Sequence, residues 1–572
     1  MAGRGGIVVP KLSLRLVTKS IHGHPYYYAV RSARVNGKPR NVEQIYLGRV
    51  DDLVALRRGA LTPTTVRTRR FGAVAALWQL AAEIDLMATI DRHCPQRGSR
   101  EISIGTYLVL AAINRVVDPR SKRGFADWYE TTVLRRLCGV PPDGLTSQRF
   151  WDAMNQVPDP AHSAIVGEIA QRVASQFETK DDIVAFDCTN FFTWIDSGNP
   201  RPRLPQRGHN KAHRYDLRQV GLALATTVQH QIPLFHHVYA GEQPDATVFR
   251  EVWPLLQERL HLLGLGEATA VYDGGNVSIK NQAVVKAGDI HYVTTVPPSQ
   301  HPDLLAEPLD AFTAATDPRL EGIRYKVARR RILKREQVVV QTHSPTLAKG
   351  QLAGVRQHLT KALARLGDLQ ATLQSGRRRK PADTATLNRE IEGILSAQHL
   401  RQVVKTSIST SDDHPPQLTF EVDEKWLDHL VAHLFGRRLW ITDHDDWDAE
   451  RIILAARTQS QAEDCFRQLH ADSAVAWSPM WHWTDQKIRV HALYCVLGLI
   501  LVRLLQHRAR AVGDTREPQA LIADLNEVTE SVLIYPPAGG SQGRPRTTAI
   551  LGETTPRQQR LLETTQALSL AP

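Results

Sequence analysis

The segment at residues 182–192, DIVAFDCTNFF, decides the fold, because it is an apolar, aromatic run interrupted by one carboxylate, Asp187. A run of this length and composition is typical of a buried strand. A helical pattern, VFREVWPLLQERLHLLG, occupies residues 248–264. Further strand-like runs lie on either side of it: QVGLALATTV at 219–228, LFHHVYA at 234–240 and ATAVYDGGN at 268–276. Several adjacent strands, then a helix and another strand, predict a mixed α/β sheet.

The composition around this sheet is that of a globular protein with more than one core. The chain has 572 residues, of which 42% are hydrophobic and 23% charged. This excludes a disordered or fibrous chain and predicts two to four structural units. The formal charge is +12, from 71 basic and 59 acidic residues. Such a charge favours a polyanionic partner such as nucleic acid, although ribosomal, membrane-surface and other basic proteins share it.

Cysteine usage and hydropathy predict a cytoplasmic protein without a membrane partner. The five cysteines are far apart and form no Cys-x-x-Cys pair, which argues against a disulfide scaffold and a zinc ribbon. The first 16 residues have no sustained apolar stretch, so we expect no signal peptide. The most apolar run, residues 492–502, is interrupted by Arg503 and is too short for a bilayer, which predicts a buried helix.

Changes of pattern along the chain predict six segments. The helical segment could bind DNA, or its helices could simply pack against one another. The segments are an N-terminal β-hairpin unit at 1–60 built around Asn36-Gly37, a helical segment at 65–160, the first part of the α/β domain at 161–298, an inserted subdomain with a helical hairpin at 299–435, the last part of the α/β domain at 436–508, and a flexible tail rich in Pro, Gly and Thr at 509–572.

Three carboxylates stand in positions that suggest metal chemistry. Asp187 and Asp273 each interrupt an apolar strand, and Glu463 lies in a predicted helix. Two carboxylates on neighbouring buried strands repel each other unless a cation lies between them. A third carboxylate from a packed helix would complete a set of hard oxygen ligands for two Mg²⁺ or Mn²⁺ ions.

Each of these carboxylates also has a simpler interpretation. An aspartate that ends a strand often caps the following turn, and a helical glutamate is commonly a solvated surface residue. Position alone therefore leaves both interpretations open.

The order of the motifs resembles the insertion-sequence-four superfamily of transposases, particularly its sixteen-thirty-four-like branch. The resemblance covers roughly residues 12–506. It is carried by Asp187-Cys188-Thr189-Asn190-Phe191-Phe192, the basic turn and strand at 207–220, the Gly-x-x-x-Asp segment at 241–245, Tyr272-Asp273-Gly274-Gly275-Asn276, and most specifically residues 459–491, which end WSPMWHWTDQKIRVH.

The resemblance implies a ribonuclease-H-like catalytic domain with an inserted helical/β subdomain, preceded by a small β-unit and a helical domain. It implies a bacterial insertion-sequence transposase in which Asp187, Asp273 and Glu463 hold two Mg²⁺ or Mn²⁺ ions. Such an enzyme cleaves the ends of its element and joins the 3′-hydroxyls to target DNA. Its partners are double-stranded DNA, both element termini and target, and a second copy in a homodimeric synaptic complex; it is nucleoid-associated when bound to DNA.

The sequence departs from the family signature around the glutamate. Where the superfamily has Tyr, Arg and Lys, which hold DNA phosphates, this chain has Ala456, Gln459 and His470. Nearby Arg457 and Arg467 could substitute, although Arg467 could equally form an intrahelical salt bridge. The basic turn could face phosphates or be a solvated surface run. The resulting DNA-binding candidates are Lys211, Arg214, Arg218, Arg457, Arg467 and His470.

Two rival functions stay open on the sequence. One is a cellular structure-selective nuclease of the same fold. The other is a catalytically weakened or domesticated DNA-binding protein derived from a transposase, which the three departures would suit. Among the tryptophans, Trp426 and Trp440 could stack on an extruded base or belong to the core, and Trp481 and Trp483 are expected to pack under the final helix. Nucleotide-binding loops of the Walker and Rossmann types and the His-Glu-x-x-His motif are absent from the sequence.

Overall fold

The computed structural model describes residues 14–35, 38–57, 62–95, 102–177, 182–196, 198–375, 383–411, 414–470, 474–535 and 545–572. The chain divides into two compact units. Unit 1 comprises Met1–Gln79, Arg120–Thr146 and Arg508–Pro572, and unit 2 comprises Leu80–Pro119 and Ser147–His507. The Asn36-Gly37 turn of the predicted hairpin lies outside the described residues.

The strands of the described residues are, in chain order, β1 (Arg15–Ile21), β2 (His24–Val35), β3 (Lys38–Gly48), β4 (Thr65–Arg70), β5 (Ile183–Thr193), β6 (Arg218–Thr227), β7 (Pro233–Ala240), β8 (Thr269–Tyr272), β9 (His291–Val296), β10 (Thr313–Ala314), β11 (Arg324–Ile332), β12 (Arg335–His343), β13 (Val404–Ser411), β14 (His414–Val422), β15 (Arg437–Thr442), β16 (Thr529–Tyr535) and β17 (Arg546–Leu551).

The α-helices are α1 (Val50–Arg57), α2 (Gly72–Glu83), α3 (Leu86–His93), α4 (Ile104–Val117), α5 (Phe125–Glu130), α6 (Leu134–Cys138), α7 (Ser147–Asn155), α8 (Asp159–Gln176), α9 (Asp245–Leu262), α10 (Ile279–Lys286), α11 (Pro302–Leu305), α12 (Pro345–Gln374), α13 (Thr384–Ile394), α14 (Leu400–Val403), α15 (Glu424–His433), α16 (Ala449–Arg457), α17 (Gln459–Leu469), α18 (Asp485–Ala511), α19 (Pro518–Asn526) and α20 (Pro556–Thr564).

The described residues of unit 1 form two antiparallel three-stranded sheets. The first has the strand order β1-β2-β3 and the second the order β17-β16-β4. The second sheet encloses a buried carboxylate, Glu530 on β16. It accepts hydrogen bonds at 3.1 Å and 2.6 Å from two guanidinium nitrogens of Arg136. This ion pair ties the segment at 120–146 to the C-terminal sheet, so unit 1 is assembled from three distant parts of the chain.

The expectation of a flexible tail at 509–572 is wrong for its described residues. They form α19, β16, β17 and α20, and α20 begins with a capping box between Thr555 and Gln558. Leu521, Leu525 and Leu561 are fully buried. The tail is ordered because β16 pairs with β4, and this pairing also makes the first residues of the predicted helical segment a strand.

Unit 2 is built on one nine-stranded sheet with the order β10-β11-β12-β15-β9-β8-β5-β6-β7. β5, β6 and β7 form an antiparallel meander, whereas β5, β8 and β9 run parallel to one another. The predicted mixed α/β sheet is confirmed. One face packs against α9 through a core that includes Phe186, Phe249, Trp253 and Tyr272. The opposite face packs against α16 through residues such as Val271 and Ile452.

The segment at 299–435 contributes to that sheet as well as forming a core of its own. α12 and α13 pack together around Leu366, Leu387 and Ile391, beside the hairpin β13-β14. By contrast, β12 pairs with β15, and β11 and β10 extend the sheet further. Part of the predicted insert is thus continuous with the main sheet.

α18 is long and apolar enough to cross a membrane by length and composition alone. However, 94% of its most apolar window is buried inside the protein, and in the described chain it is the only single unbent helix that passes this test. Every hydrophobic residue from Ala492 to Val502 is fully buried. The predicted buried helix is therefore confirmed.

Candidate active site

Asp187 lies within β5, and Asp273 directly follows the end of the neighbouring parallel strand β8. In the register of β5 and β8, Phe186 is the partner of Tyr272, and each aspartate directly follows its aromatic residue. Phe186 and Tyr272 are both buried in the core on the α9 face. Because successive side chains alternate between the faces of a strand, the two aspartates lie on the opposite face.

α17, which carries Glu463, covers this second face of β5. Phe191 lies on the same face as Asp187, four residues further along the strand, and its ring stacks on Trp477 at 4.3 Å. The same ring is 4.9 Å from that of His470, at the C-terminal end of α17. Ala462 and Phe466 are buried, whereas Glu463 is exposed. The helix therefore brings Glu463 to the side of the sheet that carries both aspartates.

The electrostatics of Asp187 show that these carboxylates are close enough to affect one another. Burial, together with the smaller effect of the negative charges of Asp273 and Glu463, raises the pKa of Asp187 to about 7. A hydrogen bond at 2.8 Å from the backbone N–H of Cys188 opposes this pKa shift. A carboxyl group with this pKa and these neighbours favours either a proton or a cation.

The side chains of Asp187, Asp273 and Glu463 are suitable ligands for a hard divalent cation. All three groups are carboxylates, the oxygen ligands that Mg²⁺ and Mn²⁺ prefer. One oxygen of Asp273 accepts a hydrogen bond at 3.3 Å from Gly275, so this residue also caps the turn that follows β8. Within the described ranges, no three His, Cys, Asp or Glu side chains are already grouped to hold one ion. Coordination by all three therefore requires the exposed Asp273 and Glu463 side chains to turn toward Asp187.

A fourth carboxylate, Asp245, belongs to the same surroundings and was missed as a candidate in the sequence. Its charge also raises the pKa of Asp187. It is the first residue of α9, is exposed, and accepts a hydrogen bond at 3.1 Å from the hydroxyl of Tyr239. The available signal was the Gly-x-x-x-Asp segment at 241–245, which places an acid directly after β7.

The basic turn between β5 and β6 is an ordered loop. The side chain of Asn210 is buried, donates to the carbonyl of Gly208 at 3.1 Å and accepts from the backbone N–H of Arg214 at 2.9 Å. Lys211 is exposed. The guanidinium of Arg214 is engaged by Asp216 at 2.8 Å and 2.7 Å, and Arg218 donates to the carbonyl of Asn199 at 2.9 Å. Among these three DNA-binding candidates, Lys211 is the one whose charge faces solvent without such an engagement.

The three candidates of the late helices have different surroundings. Arg457 donates to the carbonyl of Arg319 at 2.6 Å. Arg467 forms a salt bridge with Asp464 on its own helix, not with Glu463. His470 contacts Phe191, and desolvation lowers its pKa. Arg467 and His470 therefore stay on the helix of the candidate site, while Arg457 is held by the backbone near residue 319.

The burial of the tryptophans differs in part from what the sequence predicts. Trp440 is buried, as core packing predicts, while Trp426 is exposed and its ring stacks on His429 at 5.0 Å. The expected packing of Trp481 and Trp483 under the final helix is wrong, because they are 57% and 42% exposed. Trp477 is the buried member of this segment, stacked on Phe191.

Comparison with known proteins gives only distant likeness. No protein-family model matches the sequence, and no curated protein matches it. A piggyBac transposase synaptic complex with hairpin DNA is 9% identical, with a TM-score of 0.36, over 81% of this chain and 82% of that chain. A Mos1 transposase paired-end complex with the left transposon end is 10% identical, with a TM-score of 0.15, over 34% of this chain and 60% of that chain. Likeness at this level establishes no family, and the resemblance to the insertion-sequence-four superfamily stays a hypothesis.

Proposed function

We propose that the chain is a DNA transposase of the Asp-Asp-Glu type, encoded by a bacterial insertion sequence. The observation that carries the proposal is the raised pKa of Asp187, which is caused by burial and by the nearby charges of Asp273 and Glu463. Asp187 and Asp273 directly follow Phe186 and Tyr272, which are paired between two parallel strands, and the charge of Glu463 on α17 contributes to the raised pKa of Asp187. Groups that repel one another in this way are costly unless they serve a cation.

The strand order supports a ribonuclease-H-like catalytic domain within unit 2. The order β7-β6-β5-β8-β9 combines an antiparallel meander with two parallel strands that follow it in the chain. This is the sheet arrangement that such a domain has, with its acidic residues at the ends of the central strands. The segment at 299–435, inserted before Glu463, agrees with the interrupted form of the domain that the sequence resemblance implies.

In this proposal Asp187, Asp273 and Glu463 hold two Mg²⁺ or Mn²⁺ ions. When bound, such ions neutralise charge at the scissile phosphate and lower the pKa of an attacking hydroxyl. The chain itself contributes the backbone positions: Asp187 and Asp273 each follow the paired residues Phe186 and Tyr272, and the packing of α17 positions Glu463, while the exposed side chains of Asp273 and Glu463 turn toward the ions. Asp187 must lose its proton before it can act as a ligand, since its pKa is about 7. Phosphoryl transfer depends mainly on such positioning and charge neutralisation.

The DNA would approach the face that carries these carboxylates. Lys211 is exposed on the ordered loop between β5 and β6, Arg467 lies on α17, and His470 directly follows that helix. Cations at these positions would offset the charge that phosphates bring to an acidic site. We propose double-stranded element termini and target DNA as substrates, and a homodimer as the assembly that joins two ends.

The decisive experiment is cleavage of end-labelled linear DNA that carries the sequences flanking the gene, with Mg²⁺ or Mn²⁺. The wild type should nick at the element boundary, and Asp187→Asn, Asp273→Asn and Glu463→Gln should each lower the rate by at least about 10³-fold. Asp303→Asn and Glu392→Gln, which change exposed carboxylates elsewhere, should cleave normally. Failure of the wild type to cleave contradicts the catalytic proposal, and equal cleavage by all variants contradicts the assignment of the site.

One observation favours a second candidate, a DNA-binding protein that has lost transposition. Ala456 takes the place of the family's Tyr and is 2% exposed, so it offers DNA no contact. Arg457, a possible substitute for a phosphate contact, is engaged by the backbone at Arg319. This candidate predicts that the wild type binds the flanking DNA but does not cleave it, and that the three carboxylate variants bind equally well.

A further inference from the structure

Unit 1 contains a cleft of about 300 Å³ at the end of the chain, outside the candidate active site. It is formed where the turn after α18 meets α20. The turn supplies Gly513, Asp514, Thr515 and Arg516, and α20 supplies Arg557 and Arg560. Three guanidinium groups therefore line the cleft against one carboxylate.

Two of these arginines form no hydrogen bond or ion pair within the described residues, although the charge of Arg557 helps to lower the pKa of Asp514. Arg557 and Arg560 lie three residues apart on α20, which places them on one face of the helix, and both are exposed. Neither has a hydrogen bond or an ion pair with any residue that the structure describes. Their charges accordingly remain available to a ligand in the cleft.

The third arginine is fixed by its neighbours. Arg516 contacts both carboxylate oxygens of Asp514, at 2.9 Å and 2.7 Å, and donates to Asp524 at 2.8 Å. Gln558 of α20 donates to the backbone carbonyl of Asp524, also at 2.8 Å. The bonds tie the turn, α19 and α20 together, so the wall of the cleft is rigid before any ligand arrives.

The backbone of the turn at residues 513–516 also positions Asp514 and Arg516 beside α20. Gly513 has a φ of +81°, and a Cβ atom built there would meet open space. Its N–H donates to the carbonyl of Arg510, and the N–H of Asp514 to that of Ala509, which closes the C-terminal end of α18. The chain thus reverses sharply and presents Asp514 and Arg516 toward α20.

We propose that this cleft binds one phosphate group, with Arg557 and Arg560 as its direct ligands and Arg516 as the fixed wall. Guanidinium groups present paired N–H donors that match the oxygens of a phosphate. Arg516 is shared between Asp514 and Asp524, so the three arginines and two carboxylates leave one net positive charge for a phosphate, and Arg557 and Arg560 present it. The phosphate can come from a nucleic-acid backbone or from a free anion, and the site is separate from the proposed catalytic carboxylates.

The test measures phosphate binding and DNA binding on the full-length protein. The variants are Arg557→Gln/Arg560→Gln, the charge-conserving Arg557→Lys/Arg560→Lys, and a control, Arg401→Gln/Lys425→Gln, which removes two exposed cations of unit 2. The first readout is ³¹P line broadening of inorganic phosphate. The second is the dependence of DNA affinity on salt concentration, in which each phosphate contact contributes a slope of about 0.9. Far-UV circular dichroism verifies folding, and the lysine pair serves if the glutamine pair misfolds.

We expect wild type and control to broaden the phosphate line, the glutamine pair not to, and the lysine pair to do so less. A fall of about 0.9 in the salt slope of the glutamine pair, the contribution of one phosphate, absent in the control, identifies the phosphate as that of a nucleic acid. Loss of broadening with an unchanged slope identifies a free anion. Equal broadening and equal slopes in all proteins, or neither effect in the wild type, overturn the proposal. Neither readout uses cleavage, so a failure of the proposed catalysis leaves this test intact.

Discussion

The carboxylate of Asp464 accepts a hydrogen bond at 2.6 Å from the guanidinium of Arg503, whose side chain has no solvent exposure. Asp464 directly precedes the buried Cys465 and directly follows Glu463. The ion pair therefore joins α17 to the core helix α18 at the residue next to Glu463. Arg503, which interrupts the apolar run in the sequence, is the buried anchor of the helix that carries the third carboxylate.

We expect replacement of Asp464 and replacement of Arg503 to lower the free energy of unfolding by different amounts. Asp464→Asn leaves a buried guanidinium without its carboxylate and should lower the free energy of unfolding by roughly 3–5 kcal/mol. Arg503→Met should cost less, because Asp464 keeps some solvent contact and its salt bridge with Arg467. Denaturant unfolding of both variants measures the difference. Equal losses, or a larger loss for Arg503→Met, would contradict the assignment of Arg503 as the dependent partner.

A second prediction concerns Glu530, the buried carboxylate of unit 1. Arg136 donates to it at 3.1 Å and 2.6 Å, and Arg136 also donates to the carbonyl of Leu570 at 2.7 Å. Glu530→Gln should destabilise the protein by roughly 3 kcal/mol, because it leaves Arg136 short of a counter-charge. Thermal unfolding compared with Glu553→Gln, an exposed change in the same unit, tests this. A melting temperature equal to that of the control would show that the pair is not needed.

The strands that the sequence predicts well are those whose signal is local. Phe186 and Tyr272 lie in runs so apolar that burial on both faces of a sheet is the simplest interpretation, and both are buried in the sheet core. The same reasoning identifies the buried helix at 492–502, because its side chains are apolar all around.

What could not be predicted depends on partners distant in the chain. β4 has the polar sequence TVRTRR, and it is a strand because β16 pairs with it across more than 450 residues. Asp245 was missed because its position beside Asp187 follows from the pairing of β6 with β7 and not from its own neighbours in sequence. Asp273 does cap the turn after β8, as its simpler interpretation predicts, and its charge also acts on Asp187.

A third prediction concerns acid sensitivity. His236 on β7 and His162 on α8 are both buried, and burial lowers their pKa values from 6.5 to about 3 and about 4. The unfolded chain therefore binds more protons than the folded one below pH 6.5, so stability is present above that pH and is lost as the pH falls toward 4. Each histidine should cost about 2 kcal/mol between pH 8 and pH 5.

Replacing both residues, as His162→Leu/His236→Phe, should remove most of this loss of stability. The measurement is the free energy of unfolding at pH 8 and pH 5 for the wild type, the double variant and His358→Gln, which changes an exposed histidine of α12. A double variant that loses as much stability in acid as the wild type would show that other groups control acid unfolding.

The last prediction links the pKa of Asp187 to cation binding. Its pKa rises from 3.8 to about 7 in the folded protein, so the folded state holds the proton more tightly than the unfolded state does. The stability that this proton provides is complete below pH 3.8 and is lost as the pH rises through 7. Without divalent ions, Asp187→Asn should therefore be more stable than the wild type at pH 8, by roughly 2 kcal/mol once residual solvation is allowed for, and equal to it near pH 4.

Added Mn²⁺ should reverse that order at pH 8. The ionised wild-type carboxylate gains a cation, and binding to the folded state alone raises the melting temperature, whereas Asp187→Asn loses a charged ligand and should gain little. The experiment is thermal unfolding of both proteins at pH 5 and pH 8, with and without Mn²⁺, beside Asp303→Asn, which should follow the wild type. If Mn²⁺ stabilises Asp187→Asn as strongly as the wild type at pH 8, the ion binds elsewhere. If Mn²⁺ stabilises the wild type equally at both pH values, the proton and the cation do not compete at Asp187, and Asp187 is not a metal ligand.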